Sequence, residues 1–350
     1  MRWTEWPKGL AEKLRDGCAI PAHPLALTPE GKLDERRQRA LSRYYLAAGA
    51  GGLAIGVHTT QFAIREAGLH RPVLRIGAEA ARESGRDPIL VAGAIGRTEQ
   101  AVAEARLARE EGYHAVLLGL AAFKGASEDD IVAHCEAVAR EMPLFGFYLQ
   151  TAVGGVPLAA RFWRRFAAIG NVVAIKIAPF DRYRTLDVLR GVLEAGAEGR
   201  VALYTGNDDH IVADLLTPFR LSHGGAAHEL RIVGGLLGHW SVWTRAAVEL
   251  QARCRAAAKR GEVPPDLLAL DAAVTEMNAA IFDVAHDFHG VIAGCHEVLR
   301  RQGLLETIRC LDPRETLSPG QAELITDVAR RYPELTDDAF VAAHREAWLG

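Results

Sequence analysis

The 350-residue sequence predicts an α/β fold, a (β/α)8 TIM barrel with a helical C-terminal extension. Three observations support this prediction: eight short apolar runs recur roughly every 30 residues, helical segments separate them, and after about residue 246 only helical patterns continue. We therefore expect a barrel that carries the active site over residues 1–245 and a helical extension over residues 246–350.

The eight runs are apolar at successive positions and are bounded by Gly, Pro or Asn. This pattern is typical of strands buried on both faces of a parallel sheet. In chain order, the predicted strands are residues 18–27, 53–57, 89–95, 114–120, 143–149, 172–177, 201–206 and 229–235.

Helical segments lie between and after these strands. Residues 34–49 begin at an acidic residue and end at Gly49, and residues 99–112 end at Gly112, both suitable C-terminal cap positions. Later helices are predicted at 241–261, 266–288, 290–303, 319–332 and 336–348. A doubly wound sheet is the alternative fold, but no Gly-x-Gly-x-x-Gly follows an early strand and there is no P-loop.

Composition narrows the class of protein. The net charge of −3 provides no basic field for nucleic acid or an anionic membrane. The uncharged stretch over residues 44–64 contains four glycines and several polar residues, which a membrane-spanning helix would rarely carry together. Five scattered cysteines without a Cys-x-x-Cys pair indicate neither a disulfide framework nor a zinc site. We expect a soluble, cytoplasmic protein.

Lys176 is the strongest chemical signal, because it is the only lysine in any predicted strand. Lysine is rarely buried without a partner or a function. Burial lowers the pKa of an amine, and a neutral amine can attack a carbonyl group. The alternative is a lysine at a strand end whose stem packs while its ammonium reaches water.

Tyr148 ends the preceding strand, so its hydroxyl is expected beside Lys176, where it could transfer protons. Thr59 and Thr60 follow the second strand, and two hydroxyls with two backbone N–H groups suit a small carboxylate. The alternatives are a core tyrosine with a satisfied hydroxyl and an ordinary capped turn.

Together these residues resemble the dihydrodipicolinate synthase / N-acetylneuraminate lyase superfamily of Schiff-base-forming barrels. Lys176 in Ala-Ile-Lys-Ile matches the family's imine-forming lysine, and Tyr148 matches the tyrosine of its Tyr-Asn-x-Pro segment. Thr59 and Thr60 match its threonine pair, and residues 206–209, Gly-Asn-Asp-Asp, resemble its Gly-Asp-Asp loop. The resemblance implies a TIM barrel that assembles as a dimer or tetramer.

The departures concern substrate recognition. His58 and Gln61 replace glycines of the threonine motif, Phe62 replaces its glutamate, and Val153 stands nearest to the synthase arginine. Phe123 falls where the synthases lend a tyrosine to a neighbouring subunit. Synthase activity on a dicarboxylate is therefore not expected, and the preferred aldehyde partner should be less polar than a sugar or a semialdehyde.

Other polar residues complete the expected site. His58 and Phe123 are expected to contact substrate, as are Asn207 in the Gly-Asn-Asp-Asp loop and His239 after the eighth strand. His286, Asp287 and His289 have a spacing like that of metal ligands, but a surface cluster is favoured because no further ligand is evident.

We therefore expect an aldolase-type lyase that acts on a 2-oxo acid such as pyruvate through a Schiff base on Lys176, without a metal or an organic cofactor. A Schiff-base sugar-acid dehydratase is one alternative. A catalytically degenerate barrel that binds an oxo acid is another, and the altered residues 58–62 are its main support.

Overall fold

The computed structural model describes residues 1–350 and contains one eight-stranded parallel sheet. Its strands are β1 (Ala19–Pro21), β2 (Gly52–Ile55), β3 (Ile89–Ala94), β4 (Ala115–Leu118), β5 (Leu144–Leu149), β6 (Val172–Ala178), β7 (Ala202–Thr205) and β10 (Ile232–Leu237). Their spatial order is β1-β10-β7-β6-β5-β4-β3-β2, and a bridge between Ala22 and Ala54 joins the end of β1 to β2. The predicted TIM barrel is confirmed.

Helices surround the barrel as predicted. The first of the predicted helices is α2 (Glu35–Ala48). Its N-terminus is capped by the Asp34 carboxylate, and it ends at Gly49, which has a positive φ of 98°. The helices that precede or follow barrel strands are α1 (Leu10–Asp16), α2 (Glu35–Ala48), α3 (His70–Glu83), α4 (Thr98–Glu110), α5 (Glu128–Ala139), α6 (Ala160–Ala168), α7 (Arg182–Glu194), α8 (Ile211–Leu216) and α9 (Thr244–Lys259).

The C-terminal extension is helical, as predicted. Its helices are α10 (Pro265–Ile281), α11 (Val291–Arg301), α12 (Gln321–Arg331) and α13 (Asp338–Leu349). Helix α10 packs on α8 and α13 packs on α2, so the extension is anchored on the barrel at two places. Helix α9 contacts α2, α8, β1 and β10, the contacts of a helix that follows the eighth strand. The division of the chain at residue 245 stays a prediction.

The eighth strand differs from its predicted bounds. The predicted run 229–235 is divided between two elements, because residues up to Leu230 belong to an antiparallel hairpin of β8 (Phe219–His223) and β9 (Ala226–Leu230). Gly224 and Gly225 form its turn with positive φ values of 58° and 79°, which glycine adopts without steric cost. The barrel strand β10 begins only at Ile232.

Two apolar layers form the core. One lies inside the barrel and includes Phe145, Phe147 and Tyr204, and the other lies between the strands and the surrounding helices. No helix of the structure combines the length and the apolar character that crossing a membrane requires.

Candidate active site

Lys176 points into the barrel. In β6, Ala174 belongs to the inner apolar layer, whereas Ile175 and Ile177 belong to the outer layer. Because side chains alternate along a strand, Lys176 lies on the inner face. Its Nζ lies 4.6 Å from the ring centroid of Phe147, the residue that pairs with it in β5.

The loop after β7 leaves room for the lysine stem. A Cβ atom at Gly206 would lie 2.5 Å from Cε and 2.9 Å from Cγ of Lys176. Real Cβ atoms do not approach other heavy atoms so closely, so a glycine at this position allows Lys176 to adopt its observed conformation.

The environment of Lys176 shifts the equilibrium of its side chain towards the neutral amine. Burial lowers the pKa of Lys176 to about 8, against the opposing charge of Asp208. Burial likewise raises the pKa of the Asp208 carboxyl to about 7, against the opposing charge of Lys176. Both groups therefore change protonation near neutral pH, as groups that transfer protons during catalysis must.

Both side chains line a cavity of about 60 Å³ at the carboxyl ends of the barrel strands, where TIM-barrel active sites lie. Since one water needs about 10–15 Å³, this cavity holds only a small molecule or one end of a larger one. Its other polar residues are His58, Thr59 and Gln150, and most of its remaining lining is hydrophobic. We call it the lysine cavity.

His58 lies in the turn after β2 and lines the lysine cavity, as expected for a substrate-binding residue. Burial, followed by the positive charge of Lys176, lowers its pKa to about 4. The imidazole is therefore neutral at pH 7. Because it makes no hydrogen bond within the chain, it has one N–H donor and one acceptor nitrogen for a bound molecule.

The two threonines fasten this turn to the first strand. Thr59 lines the lysine cavity, but its hydroxyl donates to the Ala22 carbonyl oxygen at 2.7 Å. The Thr60 hydroxyl donates to the His23 carbonyl oxygen at 2.6 Å and accepts from the Gly56 N–H at 2.9 Å. Both hydroxyl protons are directed to backbone carbonyls, and the expected binding of a carboxylate by this turn stays a prediction.

Tyr148 lies on the outer face of β5, one position beyond Phe147. Its hydroxyl donates to the Leu158 carbonyl oxygen at 3.0 Å, accepts from the Leu158 N–H at 3.2 Å and from Arg184 at 3.1 Å. Its ring lies 5.1 Å from that of Trp163 in α6. The expectation that this hydroxyl stands beside Lys176 is corrected, since neighbouring residues of a strand point to opposite faces.

Aromatic residues cover the lysine cavity. Phe282 and Phe288, which follow α10, line it together with Val291 at the start of α11. The Phe288 ring meets that of Phe180 edge-on, with 6.0 Å between the centroids. The C-terminal extension thus supplies one wall of the site.

The predicted cluster of His286, Asp287 and His289 lies beside Phe288 in the chain, but none of the three lines the lysine cavity. The His286 ring lies 2.6 Å from Asp283, whose carboxylate also accepts from the Gly290 N–H at 2.9 Å and the Ser318 hydroxyl at 2.5 Å. Asp283 has a positive φ of 56°. These bonds hold a strained turn in place, which is a structural role.

A sequence model of the dihydrodipicolinate synthetase family matches residues 19–224, more than half of the chain. The chain belongs to this family. The predicted resemblance is thereby confirmed. The match covers the seven strands β1 to β7 and ends within the hairpin that precedes β10.

Two curated relatives show how distant the sequence similarity is. A 4-hydroxy-tetrahydrodipicolinate synthase of Azoarcus sp. (strain BH72) is 28% identical over 189 residues, 53% of this chain and 62% of the relative. A protein of Streptomyces coelicolor named "Probable 5-dehydro-4-deoxyglucarate dehydratase 2" is 30% identical over 192 residues, 53% of this chain and 56% of that protein. The matches therefore span less than two thirds of either relative.

Solved structures share the whole architecture. The dihydrodipicolinate synthase of Acinetobacter baumannii complexed with pyruvate has a TM-score of 0.73 and 18% identity, over 93% of this chain and 99% of that one. An N-acetylneuraminate lyase of Fusobacterium nucleatum has a TM-score of 0.71 and 14% identity, over 90% and 98%. These likenesses show the fold.

Asn207 and His239, both predicted to contact substrate, instead form hydrogen bonds that hold the loop after β7. Asn207 donates to Thr185 and Asp214 and accepts from the Phe180 N–H. The backbone N–H of His239 donates to Asp208 at 3.3 Å, and its ring meets Asn278. Neither side chain lines the lysine cavity. The expected substrate contacts are therefore corrected to contacts that hold the surrounding loops, and of the two residues His239 binds Asp208, through its backbone N–H.

Phe123 lies outside the lysine cavity. Its ring packs 4.3 Å from that of His134 and lies 5.1 Å from the Arg97 guanidinium. The expected substrate contact is therefore corrected to packing at the barrel rim.

The sequence did not reveal Phe147 or the covering aromatic residues, and Asp208 was part of the Gly-Asn-Asp-Asp loop without an expected role of its own. Phe147 is placed on the inner face by its pairing with Lys176 in the sheet, which the sequence does not show. No local pattern marks Phe282 or Phe288, because they reach the lysine cavity only through the packing of α10 on the barrel.

Proposed function

We propose that this chain is an aldolase-type lyase that binds a small 2-oxo acid such as pyruvate as a Schiff base on Lys176. The observation that carries the proposal is a buried lysine with a pKa of about 8 in a small cavity at the carboxyl ends of the barrel strands. The structure of the Acinetobacter baumannii relative complexed with pyruvate supports this choice of substrate.

The amine would attack the C2 carbonyl, and the carbinolamine would lose water to form an iminium ion. The iminium withdraws electrons from C3, so C3 can lose a proton to form an enamine, or the C3–C4 bond can break. Addition of the enamine to an aldehyde, followed by hydrolysis, returns free Lys176 and a 4-hydroxy-2-oxo acid. No step in this sequence consumes a further reagent.

Asp208 is the proton-transfer group that we propose. Its carboxyl lines the lysine cavity together with Lys176, and its pKa of about 7 suits both uptake and release of a proton near neutral pH. The backbone N–H of His239 holds it in place. Neutral His58 would donate a hydrogen bond to the substrate carboxylate. Tyr148 takes no part, because its hydroxyl lies on the other face of β5.

A sugar-acid dehydratase is a second candidate, favoured by the relative of Streptomyces coelicolor that carries such a name. Both reactions share the iminium and differ in the group that leaves, a hydroxide or a carbon fragment. Cytoplasmic location and a dimeric or tetrameric assembly also stay proposals, and the assembly can be measured by light scattering of the purified chain.

The test is reductive trapping. Incubation with pyruvate and borohydride should add one reduced pyruvate to the intact chain, and peptide mapping should place it on Lys176. The variant Lys176→Arg should abolish the adduct, whereas Lys124→Arg at an exposed lysine should retain it. No adduct with any 2-oxo acid, or an adduct elsewhere, would contradict the proposal and favour a degenerate barrel.

A further inference from the structure

A second cavity lies beside the lysine cavity and has no polar side chain. Its volume is about 220 Å³, and its twelve lining residues comprise nine hydrophobic residues and three glycines. It lies at the carboxyl ends of β3, β4 and β5, where Ile95, Leu120 and Leu149 contribute to its wall. We call it the side cavity.

The two cavities share a wall. Phe147 and Leu149 line both, and the Phe147 ring is the one that Nζ of Lys176 contacts at 4.6 Å. At a second place, His58 of the lysine cavity lies 5.7 Å, between ring centroids, from Phe62 of the side cavity. The amine of Lys176 and the side cavity therefore lie next to each other along the wall that Phe147 and Leu149 form.

The side cavity is large enough for a ring. An apolar protein cavity of roughly 150 Å³ stays dry and binds benzene, and the side cavity is larger. A hydroxyl or carboxylate that entered it would lose its hydrogen bonds to water and find no polar side chain in exchange. The side cavity therefore selects an apolar group.

We infer that the side cavity receives the apolar substituent of the second substrate, an aldehyde that carries an aromatic or a branched aliphatic group. This inference rests on the proposed function, since the aldehyde reacts with the enamine formed on Lys176. The aldehyde carbon would bond to C3 of the enamine, its oxygen would take up a proton, and water would release the 4-hydroxy-2-oxo acid.

The first experiment compares aldehydes with pyruvate as the common donor. Benzaldehyde and isovaleraldehyde should give kcat/KM values about tenfold or more above those of acetaldehyde, erythrose and aspartate semialdehyde, because each apolar carbon that the pocket buries increases selectivity. Product is measured by mass spectrometry, and borohydride trapping runs in parallel on the same protein.

The outcomes separate the two proposals. Trapping at Lys176 with a preference for polar aldehydes would overturn the side-cavity inference and leave the Schiff base intact. Absence of trapping would overturn both. Trapping with equal turnover of all aldehydes would also contradict the inference, since it would show that the side cavity is unoccupied during reaction.

The second experiment fills the side cavity. Val156 lines the side cavity and not the lysine cavity, so Val156→Phe should lower the ratio of benzaldehyde to acetaldehyde turnover by about tenfold. Val263→Phe, at a valine that is 42% exposed and lines neither cavity, is the matched control and should keep the ratio. If Val156→Phe does not fold, Val156→Ala is the second variant. It enlarges the side cavity and should raise the turnover of aldehydes with larger rings relative to that of acetaldehyde. An unchanged ratio in a folded Val156 variant would overturn the inference.

Discussion

At the residue scale, burial in the lysine cavity brings the pKa values of an amine, Lys176, and a carboxyl group, Asp208, close to each other. Burial lowers the pKa of Lys176 to about 8 and raises that of Asp208 to about 7. Each charge partly opposes the effect of burial on the other, since opposite charges stabilise one another's ionised forms. The pH dependence of imine formation therefore depends on both residues.

The rate of imine formation with pyruvate should rise with pH and level off above about pH 8. Only the neutral amine attacks the carbonyl group, and the pKa of Lys176 is about 8 instead of its ordinary 10.5. Removal of the opposing carboxylate in Asp208→Asn should lower the pKa of Lys176 further and move the midpoint below pH 8. The measurement is the rate of borohydride-trapped adduct between pH 6 and pH 11.

Asp266→Asn at an exposed aspartate of α10 is the matched control and should leave the midpoint unchanged. A midpoint near 10.5 in the unmodified chain would show that the amine is solvated. A midpoint that Asp208→Asn does not move would show that the carboxylate does not act on Lys176.

Tyr148→Phe should affect stability and not imine formation. Loss of the hydroxyl leaves the N–H and carbonyl groups of Leu158 and one Arg184 N–H without this partner, which costs about 1–3 kcal/mol when the groups stay buried. Denaturant unfolding measures the loss. Tyr183→Phe, at a tyrosine that is 85% exposed, should change the free energy of unfolding little. A large loss of trapping in folded Tyr148→Phe would contradict this placement.

At the element scale, the loop after β7 positions both reacting groups. It supplies Asp208 and, through Gly206, the space for the stem of Lys176. Asn207 and Asp214 bind to each other within the same segment, and Thr205 donates to Asp214 at 2.6 Å. The loop is therefore rigid because its polar side chains are hydrogen-bonded within the loop and to α7 and α8.

Gly206→Ala should reduce the rate of imine formation by about 100-fold, because the new methyl group would displace the lysine stem and small displacements of reacting groups have effects of this size. Gly199→Ala is the matched control, since nothing lies within 4 Å of its Cβ position. Wild-type trapping by Gly206→Ala would contradict the close approach of this loop to Lys176.

At the scale of the whole molecule, burial suppresses the charge of many histidines. Seven of the thirteen have a pKa lowered to about 4 with burial as the largest cause. They are His23, His58, His70, His114, His134, His239 and His296. In the unfolded chain the same groups titrate near 6.5, so unfolding between these values takes up protons.

The free energy of unfolding should therefore be largest above pH 6.5 and fall as the pH decreases towards 4, by at most about 1.4 kcal/mol per pH unit for each such histidine. Between pH 4 and pH 6.5 the unfolded chain binds more protons than the folded chain, so a lower pH decreases the free energy of unfolding. Urea unfolding at pH 7.5, 6.0 and 5.0 measures it. The comparison ends at pH 7.5, because Lys176, whose pKa burial lowers to about 8, makes its own contribution to the free energy of unfolding above that value. A constant free energy from pH 7.5 to pH 5.0 would contradict the burial of these rings.

The sequence alone determined the barrel, its helical extension and the lysine on which the proposed chemistry rests. Apolar runs bounded by Gly and Pro predict buried parallel strands because their burial depends on local composition and spacing. Lys176 was identifiable for the same reason, as the single lysine within a predicted strand. These are properties of contiguous residues.

Only the tertiary structure decided which neighbours of Lys176 share its cavity. Phe147 faces the amine and Tyr148 faces away from it. The two residues are adjacent in β5, and a shift of one residue along a strand moves a side chain to the opposite face of the sheet. Asp208 lines the cavity from the loop after the next strand, β7, and Phe288 covers the cavity from the C-terminal extension. Such contacts join residues far apart in the chain, so they depend on strand register and helix packing, which no local pattern encodes.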